Sequence, residues 1–113
     1  PCVDLTVHWQ AQERMETSYT VFIHLVDDQE RIWGQVDRTP LEGTHPTSAW
    51  LPGEVVSDRY VVTWCDEAPG GEYRVAIGLY GPESGRRLPL YVQGARVPDD
   101  RYILGRVTLQ RPL

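Results

Sequence analysis

Alternation of apolar and polar residues with a period of two recurs along this chain and limits its fold more than any other feature. Leu5, Val7, Trp9 and Ala11 fall on one face of an extended segment, with Thr6, His8 and Gln10 on the other. Tyr19, Val21, Ile23 and Leu25 repeat the pattern against Thr20, Phe22, His24 and Val26, and Arg31 to Asp37 follows after a polar turn. Glu54 to Trp64 is rich in β-branched and aromatic residues, which suit a pleated, half-buried surface. Tyr73, Val75, Ile77 and Leu79 alternate with Arg74, Ala76, Gly78 and Tyr80, and two shorter runs, Arg87 to Val92 and Tyr102 to Leu109, close the chain. Pro52-Gly53, Pro69-Gly70-Gly71 and Gly81-Pro82-Glu83-Ser84-Gly85 punctuate these runs as turns, and no segment carries a helical period. Seven such runs point to an all-β sandwich or a small barrel, and of the two the expected fold is a seven-stranded antiparallel β-sandwich of immunoglobulin-like type. Its expected interior is Leu5, Val7, Trp9, Val21, Ile23, Leu25, Val62, Val75, Ile77 and Leu79.

At 113 residues the chain has room for one domain, spanning 1–113, and one core. The abrupt start in a strand suggests a domain excised from a longer protein. A net charge of −5, with cations that are scattered apart from Arg86-Arg87, argues against nucleic acid as a partner, since phosphate binding needs a clustered basic face. Every cation is Arg, and Lys and Asn are both missing. Schiff-base chemistry, a phosphate-loop lysine and N-glycosylation are thereby excluded. No apolar run approaches the ~20 residues that span a bilayer.

Chemistry-bearing residues are sparse. His8 and His24 would share a face if the first two strands formed a hairpin, yet zinc needs further ligands that neither cysteine is placed to give. Asp27-Asp28-Gln29-Glu30 lacks the ligand spacing of a calcium loop and reads as a hairpin turn. Ser84 is not in a nucleophile elbow, Cys65 has no local activating group, and no carboxylate pair stands out. The expectation is no catalytic residue, no metal and no cofactor. Cys2 and Cys65 either pair, stapling the first strand to a later one, or remain two unpaired thiols.

Aromatic residues supply the remaining candidates. Trp33, Trp50 and Tyr80 could form a sugar-stacking platform, whereas Trp9 and Trp64 belong to the core by their alternation. The connection Arg38 to Gly53, 16 residues long, needs an anchor, and Trp50 is its one large apolar side chain. A structural role for Trp50, folded over the end of the sandwich with Thr47 or Ser48 bonding local backbone, is the favoured alternative to ligand binding.

Three stretches together resemble a known family: Tyr19 to Asp27 (YTVFIHLVD), Pro46 to Val56 (PTSAWLPGEVV) and Gly71 to Tyr80 (GEYRVAIGLY). In this order and spacing the chain is similar to the β-sandwich domain at the C-terminal end of bacterial multi-spanning membrane proteins of the dolichyl-phosphate-mannose-type glycosyltransferase class. The similarity extends to Leu104-Gly105-Arg106-Val107 and departs at Trp64-Cys65-Asp66, where a Pro-rich apolar stretch is expected. It implies a non-catalytic accessory domain on the extracytoplasmic side of the membrane. Its implied partners are the membrane domain of the parent chain and, in a second version, glycan. A carbohydrate-binding module of a secreted or cell-surface protein is the alternative.

Overall fold

The computed structural model describes residues 1–111. Among them are eight strands: β1 (Cys2–Gln10), β2 (Thr20–Val26), β3 (Ile32–Arg38), β4 (Val55–Thr63), β5 (Gly71–Tyr80), β6 (Tyr91–Val92), β7 (Ala95–Arg96) and β8 (Tyr102–Leu109). All pairings are antiparallel, in a two-stranded sheet β1-β4, a four-stranded sheet β3-β2-β5-β8 and a small hairpin β6-β7. No described helix is long and apolar enough to cross a membrane.

The count of eight rather than seven comes from the segment expected to be one strand, Arg87 to Val92. Only an isolated bridge from Arg87 to Tyr80 and the two residues of β6 pair there. Pro89 cannot donate to a ladder, and Gln93 and Gly94 take φ values of 51° and 81°. Two successive left-handed residues make the tight two-residue turn that folds β6 back onto β7.

The first two strands do not form the hairpin that would bring His8 and His24 onto one face. β1 pairs with β4 along its whole length, from Cys2 opposite Thr63 to Gln10 opposite Val55, and not with β2. Two further backbone bonds, Ala11 N–H to Glu54 O and Gly53 N–H to Ala11 O, hold the end of this pairing. The chain then crosses to the other sheet, so His8 and His24 lie on different sheets.

The inner faces of the two large sheets meet in one core containing Val7, Trp9, Val21, Ile23, Leu25, Val62, Val75, Ile77 and Leu79. Leu5, also expected there, is only partly buried against it. Burying each such aliphatic side chain is worth about 1.5–3 kcal/mol. β4 joins the second sheet at one side through the bridge Gly34–Trp64 and the bond from Cys65 N–H to Trp33 O. A Cβ on Gly34 would stand 2.9 Å from the Thr63 carbonyl oxygen, so the close crossing requires glycine. On the opposite side β1 and β8 are the outermost strands, and their ends flank an open cleft of about 530 Å³ that includes Val3, Trp64 and Val107.

The four-stranded sheet is covered on its other face as well. Phe22, Val26 and Ala76 point away from the core yet are buried, Phe22 to 2% exposure. A Cβ on Gly78 would lie 2.5 Å from the Phe22 ring and 2.9 Å from the Asp100 carbonyl oxygen. The missing side chain thus lets the ring lie on β5 beneath the turn Pro98–Asp100.

Candidate functional site

The three aromatic candidates occupy separate environments. Trp50 is 2% exposed, and its indole N–H donates to the His45 carbonyl at 2.9 Å. It belongs to the core cluster, in the structural role favoured above. The hydroxyl of Thr47 is the second anchor of this connection, but its partners are distant in sequence. It donates to Thr17 O at 2.8 Å and accepts from Tyr19 N–H at 2.9 Å, tying the turn to the entry of β2 rather than to local backbone. His45 and Glu54 meet at 2.9 Å, and Glu54 also accepts from Leu51 N–H, closing the connection onto the start of β4.

Trp33 is half-buried, and its indole donates to Asp27 at 2.9 Å. Asp27 organises the whole turn before β3: it accepts from the N–H groups of Gln29 and Arg31 and from the Arg31 guanidinium. The Trp33 indole first, with these other donors, holds the Asp27 carboxyl down to about 2. Every carboxylate oxygen is thereby committed to a hairpin turn. Tyr80 stands opposite Thr20 at the far end of β2 from Trp33, so Trp33, Trp50 and Tyr80 do not form a common platform.

Around Tyr80 the outer face of the four-stranded sheet gathers a different set. The Tyr80 hydroxyl donates to Asp37 at 2.9 Å, and Gln35 donates to the other Asp37 oxygen at 2.6 Å. The Phe22 ring lies 4.8 Å from His24 and 6.3 Å from Tyr80, and the Arg87 guanidinium sits 4.8 Å above it. Burial pushes the His24 imidazole below its usual value; Arg87 and Arg101 act in the same direction, against Asp37. Strict alternation predicted which face Phe22 and His24 occupy. It could not predict that Arg87, from a segment some sixty residues away, would cap them. With Phe22 covered, the part of the patch open to a ligand is half-buried Tyr80 and His24 with exposed Gln35, Asp37 and Arg87, a set that suits hydrogen bonding to a polar ligand.

A second polar cluster lies where the two sheets meet. Asp58 is on the inward face of β4 and 7% exposed. Arg38 reaches both its oxygens, at 3.0 and 3.3 Å, and Leu41 N–H donates at 2.8 Å. Burial alone would raise the Asp58 carboxyl; the Leu41 N–H and Arg38 outweigh it and hold it below the usual range. The cluster pins a turn in which Leu41, Glu42 and Gly43 all have positive φ. Arg38 also stacks 4.3 Å over Tyr60, whose phenol burial pushes well above its ordinary value. The arrangement braces β3, the turn after it and β4 against one another.

Among the described residues no group of three or more His, Cys, Asp or Glu side chains is placed to hold a metal ion. His8 lies 2.6 Å from Ser57 on the exposed face of β1-β4, and both cysteines are free and exposed. Compared with protein-family models, curated proteins and solved structures, the chain matches none.

Proposed function

We propose that the chain is a non-catalytic, extracytoplasmic accessory domain of a bacterial membrane glycosyltransferase-like protein, built as an immunoglobulin-like β-sandwich that docks on the membrane domain of its parent. The observation that carries this reading is the internal use of its large aromatic residues. Trp9, Trp50 and Trp64 are buried and Trp33 is tied to Asp27, so the indoles serve packing and turn geometry rather than a ligand. The three stretches that bear the family resemblance coincide with such roles. They supply β2 with its Asp27 turn, the Thr47–Trp50 anchor leading into β4, and β5. Sugar-transfer assays in proteoliposomes test the proposal. The parent should keep its chemistry, at reduced yield, when this domain is deleted, and the isolated chain should have no activity. Transfer or hydrolysis by the isolated chain would contradict it.

The carbohydrate-binding reading rests on a specific observation too, the patch of Tyr80, His24, Asp37 and Arg87 over Phe22. Glycan screening of the chain and of Tyr80→Ala separates the two. Binding that disappears in Tyr80→Ala would favour the module, and no binding by either protein would favour the accessory domain.

A further inference from the structure

Among the described residues β1 is a long, uninterrupted free edge. Its pairing with β4 is continuous over nine residues with no register shift, and among the described residues nothing pairs with its other side. It carries no proline, no bulge and no inward-pointing charge, and Asp4 is its one carboxylate, on the outer face. β8, the outermost strand of the other sheet, contrasts with it. Its register shifts between Val75 and Ala76, leaving Leu104 as an extra residue, and such a bulge twists an edge away from pairing. A two-stranded sheet is also short of the three strands that make a sheet stable by itself, and Val3 and Leu5 on the inner face of β1 are only partly covered.

We propose that two copies of the chain associate through their β1 edges. The strands run antiparallel about a two-fold axis at Thr6, joining the two β1-β4 pairs into one four-stranded sheet. β1 spans Cys2–Gln10, so Thr6 is its midpoint and this register overlaps all nine residues. Thr6 faces Thr6, Leu5 faces Val7 of the second copy, Val3 faces Trp9, and Asp4 faces His8 twice. Apolar residues then meet on the inner face and polar ones on the outer, as a pleated sheet requires. Thr–Thr pairs are favourable cross-strand neighbours, and this register opposes no two like charges while Asp4 keeps its ion pair with Arg59 on β4. Moving the axis to Asp4 would oppose two carboxylates, and moving it to His8 would oppose two imidazoles and shorten the overlap. A self-complementary edge of this kind fits the closed two-fold symmetry of most small oligomers.

Sedimentation velocity of the 113-residue chain across micromolar to submillimolar concentrations tests this directly. A reversible dimer is expected. Thr6→Lys would oppose two ammonium groups at the axis and should weaken it by about tenfold or more. Because Thr6 is exposed, circular dichroism and melting should not change at concentrations low enough to keep both proteins monomeric. The register is read separately by Thr6→Cys with Cys2 and Cys65 replaced by Ser. Diamide, accepting two electrons and two protons, should convert this variant to a disulfide-linked dimer, since directly opposed cross-strand residues fall within disulfide reach. Thr63→Cys in the same background, on the strand away from the edge, should not cross-link. A monomer at every concentration, a dimer indifferent to Thr6→Lys, or equal cross-linking at positions 6 and 63 would each overturn the proposal.

Discussion

The two large sheets are built from the same alternating pattern, yet they meet the solvent differently. In β1-β4 the alternation is strict: inward residues are buried, apart from the partly covered Val3 and Leu5, and Thr6, His8, Ser57 and Arg59 are exposed on the other face. In β3-β2-β5-β8 the central strands are covered on both faces, because Phe22, Val26 and Ala76 lie on the outer side, with the Phe22 ring beneath Arg87 and the turn Pro98–Asp100. Period-two patterning therefore reports which residues share a face. It does not report whether the second face is wet.

The contrast can be broken most forcefully at Phe22. Phe22→Ala should destabilise the domain by about 3–5 kcal/mol, the range for deleting a buried aromatic ring. Thr6→Ala, on the corresponding outer face of the other sheet, should stay within about 0.5 kcal/mol. Urea unfolding of the two variants side by side gives the answer, and equal costs would mean that the two outer faces do not differ.

Next in size are the braces at the end and at the junction. Trp50→Ala should cost about 3 kcal/mol, as loss of a fully packed indole does. A Trp50→Ala protein of unchanged melting temperature that had lost sugar affinity would reverse the structural assignment of this residue. Asp58→Ala leaves the Leu41 N–H without its partner and removes the carboxylate from Arg38, which keeps its bond to the Arg59 carbonyl, and should cost about 2 kcal/mol by thermal or urea denaturation.

A smaller effect is expected with pH. The Asp27 carboxyl is held from 3.8 down to about 2 by the folded state, so its contribution is fully present above about pH 4. It should be lost as pH falls from there through about 2. Asp27→Asn should flatten that part of the acid profile, followed by the fluorescence of the adjacent Trp33.

Much of this fold is legible in the sequence because it is local. The strands β1, β2, β3, β4, β5 and β8 follow from alternation and turn residues, and the anchoring of the long connection by Trp50 follows from its isolation among polar neighbours. What alternation cannot carry is partner choice. A strand of the right period pairs equally well in principle with its sequence neighbour or with a distant strand; here β1 pairs with β4, and the bonds of Ala11 to residues 53 and 54 extend that pairing. The same limit explains the polar cluster. Asp58 occupies an inward position in its strand, where a carboxylate looks like an interruption, and only the crossing of β3 supplies the Arg38 that accommodates it. The patch around Tyr80 is likewise completed by Arg87, which no local pattern connects to Phe22.

Residue-resolved amide hydrogen exchange, at protein concentrations low enough to keep the chain monomeric, tests the difference between the sheets most directly. Every amide from Val21 to Val26 should be strongly protected, since these residues are paired on both sides and only His24 among them is incompletely buried. In β1 protection should alternate, with the amides facing β4 slow and those on the free edge fast. Uniformly slow exchange along β1, or rapid exchange at the outward-facing positions of β2, would contradict the account.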